Sequence, residues 1–466
     1  MDYSAANTSV WNVIIQFGYI AGVVLFCNFI RRKYSFIKRS MMPVAVMAGF
    51  IILIAKYIGI VKINHDFMEI LTYHGIALGF IAMSLRVPEA LSEAKKGTGF
   101  KSGAVIVSTY MVQGVTGLII TILLGYTFMP NMFKAAGLLL PMGYGQGPGQ
   151  ANNIGASYQS MGFAGGHSFG LAIAAMGYIV ACVVGVILLN ILRRSGKIKI
   201  EDVEAVEEEN YTTDFFHSKG EMPISESIDK LSVQLAMVLL VYAVTYLVSR
   251  AITGGISAIS AGLAGTVNTL IWGFNFIIGS ALAMLLRVIL ENLRAGGIID
   301  RQYQNNYLLN RLSGMFFDMM IVAGIACINL EDIRGLVVPF ILLTVIGAVV
   351  TWLHLVRVCR VVYKDYYYEG LISMFGMLTG TISSGVILLR EIDPGMRTPA
   401  ANNLVTGSSF GILLGAPVLV LVGLAPKSDL MCIVTLILAA LYLAVLLYII
   451  YKVGRRNNNR KTTNLK

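Results

Sequence analysis

Apolar runs of membrane length, separated by short polar connections, dominate the chain. About 20 helical residues at about 1.5 Å each cross a hydrocarbon core of about 30 Å. The runs at 10–30, 42–60, 70–86, 103–125, 166–192, 231–249, 270–290, 308–327, 334–355, 402–424 and 430–451 meet that length. Two more apolar stretches, 134–162 and 371–389, are rich in glycine and interrupted. Lipid offers no hydrogen-bond partner to the backbone, so the crossings are predicted to be helices. The predicted fold class is an all-α polytopic membrane protein, with about eleven crossing helices and two re-entrant or broken glycine-rich hairpins.

The polar connections set the orientation. Connection 31–40 carries Arg31, Arg32, Lys33, Lys38 and Arg39 with no acid, whereas 61–69 carries Lys62 beside Asp66 and Glu69. Basic and poor connections go on alternating, and lysine and arginine collect on the cytoplasmic side. The N-terminus is therefore expected outside and the C-terminus inside a cell membrane. Run 103–125 then ends outside, so 134–162 must enter and leave on the outer side. By the same count 371–389 enters and leaves on the inner side.

An internal repeat follows. The offset that carries Gly145 onto Gly376 also carries 42–60, 70–86 and 103–125 onto or near 270–290, 308–327 and 334–355. The first set begins outside and the second inside, which makes two inverted-topology repeats. The expected organisation is a first repeat over 1–192, a cytoplasmic linker over 193–230, a second repeat over 231–424, and an extra span with a basic tail over 425–466. Run 10–30 has no basic stretch or small-residue cleavage site before it and is read as a retained span.

Composition narrows the function. Of 466 residues, 56% are apolar and 13% charged, against about 25% charged in soluble domains. A soluble enzyme, a disordered chain and a nucleic-acid binder are excluded on that ground. The net charge of +11 is a topology signal before it is a partner signal. Cys27, Cys182, Cys327, Cys359 and Cys432 are scattered and form no CxxC pair, so no disulfide framework or metal centre is expected. No P-loop, HExxH or nucleophile elbow occurs; Gly97-Thr98-Gly99-Phe100-Lys101-Ser102 does not match the phosphate loop. Enzymatic function and a resident cofactor are not expected.

The interrupted stretches carry the candidate chemistry. Glycines around Pro148 cannot continue a helix, and non-helical backbone at membrane depth is tolerated only in protein or beside a water-filled cavity. There, freed carbonyls hold a cation and half-helix N-termini face an anion. The first stretch offers Gly145, Gln146, Gly147, Gly149, Gln150, Asn152 and Asn153; the second offers Gly376, Thr379, Gly380, Thr381, Ser383 and Ser384. These neutral oxygens suit Na+ or a small polar solute. Asp318 within 308–327, His167 beside the first stretch and Arg397 beyond the second are further candidates, for a coupling ion or a substrate carboxylate.

Gly145-Gln146-Gly147-Pro148-Gly149-Gln150-Ala151 and Gly376-Met377-Leu378-Thr379-Gly380-Thr381-Ile382-Ser383-Ser384 resemble the two glycine-rich loops of the bacterial sodium/glutamate symporter family. That family has Gly-Gly-His-Gly-x-Gly in the first loop and Gly-x-Gly-x-Gly-Ala-Thr-Pro-Thr in the second. Gln146 stands at the family's histidine, and Ser383-Ser384 at its Pro-Thr. The resemblance implies Na+-coupled symport of glutamate or a related small anionic solute, as a homodimer with a moving transport domain. The open alternatives are a Na+- or H+-coupled carrier for another organic anion and a passive channel lined by the facing loops.

Overall fold

Helices form along the apolar runs. The computed structural model describes residues 4, 7–34, 37, 42–87, 93–198, 229–259, 271–273, 275–393 and 398–463. Arg397 and most of the linker read at 193–230 lie outside these. In chain order the main helices are α1 (Thr8–Lys33), α2 (Val44–Tyr57), α3 (His65–Ser84), α4 (Glu93–Tyr126), α5 (Pro148–Ser160), α6 (Gly166–Ile179) and α7 (Gly185–Arg194). They continue as α8 (Lys230–Ile259), α9 (Asn275–Ala295), α10 (Asn306–Cys327), α11 (Val337–Val362), α12 (Tyr367–Thr379), α13 (Ile382–Arg390), α14 (Ala400–Leu424) and α15 (Asp429–Thr463). Among the described residues ten helical stretches are long and apolar enough to cross a membrane. The chain is an all-α polytopic membrane protein.

Two runs differ from their expected shape. The run 42–60 yields only the 14-residue α2, about 20 Å long and short of a full crossing. Gly59 explains the early stop: its φ of 78° is left-handed, and Ile60 N–H reaches back 2.9 Å to the Ala55 carbonyl, a glycine-terminated helix end. The run 166–192 is continuous, but its turn Val180–Val184 is wound as a π-helix between α6 and α7.

The chain divides into two compact units, each drawing on both halves of the sequence. One comprises Met1–Gln16, Ile63–Ala90 and Glu208–Gly324. Its core is Ile81, Leu85, Val238, Val241, Ala283, Leu309 and Leu312, with polar ties threaded through it. Asn275 Nδ2 donates to the Tyr73 hydroxyl at 2.9 Å, and the Tyr73 hydroxyl donates to the Trp272 carbonyl at 2.7 Å. The other unit comprises Phe17–Lys62, Leu91–Glu207 and Ile325–Lys466. It contains both glycine-rich stretches, and one of its cores packs Leu189, Leu192, Ile372, Leu388 and Leu389.

Candidate functional site

In the second unit each glycine-rich stretch folds into a hairpin that turns back at a break in its helix. The first runs inward through a 3-10 turn, Lys134–Leu138, and a π turn, Pro141–Gly145. It breaks at Gly147, with φ 86° and ψ −176°, a conformation essentially reserved for glycine. Pro148 then starts α5, where its missing N–H costs nothing. The return is complete: the Phe133 ring lies 5.3 Å from Tyr158 and stacks 5.1 Å from Phe163.

The second hairpin descends as α12, turns through Gly380 and an extended Thr381, and returns as α13. Small residues let its arms touch. A Cβ at Gly376 would stand 2.9 Å from the Gly385 Cα, and one at Gly385 would stand 2.5 Å from the Ser373 carbonyl. At its mouth Asn403 Nδ2 donates to the Tyr366 hydroxyl at 2.7 Å. Each stretch thus turns back on itself, and its two arms pack together.

Helix α4 measures their depth. The Tyr363 hydroxyl, at the mouth of the second hairpin, donates to Ser102, and the Thr121 hydroxyl donates to the Lys134 carbonyl at the mouth of the first. Ser102 and Thr121 are about 28 Å apart along the helix, close to the hydrocarbon thickness. The hairpins therefore open at opposite ends of α4. Gln113, between them, belongs at the level where the tips meet. A Cβ on Gly147 would stand 3.5 Å from Thr381 Cγ2 and 3.8 Å from the Gly380 carbonyl oxygen.

What surrounds that meeting point is neutral and polar. Helices α5 and α13 both begin there, and neither Gly147 nor Thr381 makes a side-chain cap hydrogen bond. Two helix N-termini, each with partial positive charge, thus face the tips. Gln150 Oε1, Thr381 Oγ1, Ser384 Oγ and Gln113 Oε1 are shielded from solvent, with no hydrogen-bond partner among the described residues. Buried polar atoms are nearly always paired. Four orphans beside two uncapped helix starts mark a place built for something that supplies the missing partners. A cation would satisfy the oxygens, and an anion the N–H groups.

The remaining candidates separate. Asn152 and His167 pair, Nε2 to Oδ1 at 2.5 Å, and Asn152 Nδ2 donates to Asn153 Oδ1 at 3.3 Å. Both asparagines are buried on α5 and form the polar side of the first hairpin. Gly145 and Gly149 are buried and Gln146 is half-buried. Thr379 is buried, but its hydroxyl donates to the Phe375 carbonyl of its own helix at 2.8 Å, so its role at the tip rests on its backbone. Ser383 is exposed and points away from the cluster that holds Ser384. Asp318 is on α10 in the first unit and exposed.

Sequence reasoning missed Gln113. It is fully buried on α4; its Nε2 donates to the Leu378 carbonyl and to Thr351 Oγ1, each at 2.9 Å. Its other side faces the first hairpin, 3.0 Å from where a Gly145 Cβ would lie. A lone glutamine in an apolar run carries no local signal. The only available hint is that an amide at mid-membrane depth is costly without a partner.

No family model matches the chain, and no curated protein matches it.

Proposed function

We propose that the protein is a secondary active transporter of the cell membrane that carries a small anionic solute together with Na+ by alternating access. Glutamate or a related carboxylate is the first candidate solute. The observation that carries this reading is the meeting, at half depth, of two re-entrant hairpins that open at opposite ends of α4, with unpaired oxygens and two helix N-termini at their tips. Such a site faces either side when one hairpin or the other moves. The oxygens of Gln150, Thr381 and Ser384 suit a hard monovalent cation, and the helix starts suit a carboxylate.

Contacts between near-equivalent positions support the inverted repeats. Gly147 meets Gly380 and Thr381 in one unit, and the Ser313 hydroxyl donates to the Gly79 carbonyl in the other. Both pairs fall close to the repeat offset, as expected where a pseudo-two-fold axis passes. In this reading the first hairpin opens outward and the second to the cytoplasm, and the assembly is a homodimer. Each net charge carried gains about 2.3 kcal/mol per 100 mV of potential, which adds to the Na+ gradient when more than one Na+ accompanies a monovalent anion.

The test is radiolabelled glutamate uptake into proteoliposomes under an inward Na+ gradient, with K+ as control. Accumulation with Na+ alone is expected. Equal uptake in K+ would remove Na+ as driver. No uptake in either would remove glutamate, and counterflow with other small carboxylates would then decide between carrier and pore.

A further inference from the structure

We propose that Gln113 couples the two hairpins, making the position of the second depend on whether a cation occupies the tip site. The inference rests on the carrier reading and adds a residue and a linkage that the loop sequences do not contain. Carbonyl oxygens only accept hydrogen bonds, so the Leu378 carbonyl fixes which way the Gln113 amide faces: nitrogen toward Leu378 and Thr351, oxygen toward Gly145. Both N–H bonds are then used, and Oε1, fully buried, accepts no hydrogen bond among the described residues. Leu378 lies in the last turn of α12, where helix carbonyls lose their own partners. The second hairpin is thus tied to α4 through one amide, and the same amide presents its free oxygen at the break of the first.

A cation that accepts Oε1 as a ligand holds the amide in this orientation and so holds the Leu378 carbonyl. If the second hairpin swings away, the amide loses an acceptor and turns, and the cation loses a ligand. Occupancy and closure therefore favour each other, by linkage.

The test reads the hairpin rather than transport. Ser383 is exposed in the first turn of α13, whereas the five native cysteines are buried. S383C is therefore the reactive thiol for a maleimide in the full-length protein. With Na+ alone as probe, against K+, the rate of S383C alkylation is expected to change by about five-fold or more, the low end of usual coupling between sites. In S383C/Q113M, where the stem remains but the amide is gone, the rate is expected to be the same in Na+ and K+. An equal Na+ effect with and without the amide would overturn the role of Gln113. No Na+ effect in S383C itself would overturn the linkage. In either case the carrier reading stands or falls separately, on the uptake assay, and unchanged melting of the Q113M protein in K+ rules out misfolding as the cause.

Discussion

Replacing Thr381 with valine and Ser384 with alanine in one chain is expected to weaken the apparent affinity of uptake about a hundredfold or more and to leave the protein as stable as its parent, or slightly more so. The two halves of that result come from the same observation. Neither hydroxyl makes a hydrogen bond among the described residues, so removing them breaks nothing in the fold. Valine keeps the branched shape of threonine, and losing a buried, unpaired polar atom relieves a desolvation cost. A solute or cation at the tips loses both partners. Hydrogen bonds to charged groups are worth about 1.5–3 kcal/mol each, and about 1.4 kcal/mol is tenfold in affinity. The double variant should therefore lose about a hundredfold or more in apparent affinity, read from concentration-dependent uptake beside a thermal melt in detergent. A fall in melting temperature with unaltered affinity would mean that the hydroxyls serve the fold alone.

The second large effect is structural. Gly137→Ala is expected to prevent the first hairpin from seating. A Cβ there would stand 2.2 Å from the carbonyl carbon and oxygen of Gly117 on α4, and the reciprocal Cβ on Gly117 would stand 2.1 Å from the Gly137 oxygen. Both obstacles are backbone, so no side chain can rotate away. Overpacking against movable side chains costs about 1–3 kcal/mol; here α4 and the 3-10 turn must separate, and the cost belongs at or above the top of that range. Folded yield after detergent extraction should collapse. Gly415→Ala is the control: it is a helical glycine with nothing within 4 Å of its would-be Cβ, and should extract normally. Normal yield of Gly137→Ala would contradict the close approach of α4 to the hairpin mouth.

These two sites divide what the sequence discloses from what only packing discloses. The hairpins were legible because Gly145, Gly147 and Pro148 in one stretch, and Gly376 and Gly380 in the other, forbid unbroken helices. The structure places the breaks at Gly147 and at Gly380–Thr381. Ser383 and Ser384 looked equivalent as a pair, but neighbouring helical residues lie about 100° apart. Ser384 faces the tip and Ser383 does not. Asp318 drew attention as an isolated carboxylate in an apolar run, yet it lies on the surface of the other unit; isolation along the chain says nothing of which unit a helix joins. Gln113 was invisible for the converse reason. Its meaning comes from Leu378 and Thr351, both remote in sequence. The shortness of α2 turned on Gly59 alone, whose left-handed conformation a hydropathy pattern does not record.

The central claim is that the hairpin tips form one site at half depth, reached from both faces of the membrane. Its most direct test is the reactivity of Gln146→Cys, at the half-buried tip of the first hairpin, toward a membrane-impermeant maleimide. Right-side-out and inside-out vesicles are compared, in a protein whose native cysteines are all buried. Modification from either face, slowed from both by Na+ with the transported solute, is the expected result. Modification from one face only, under every condition of ion and solute, would contradict it.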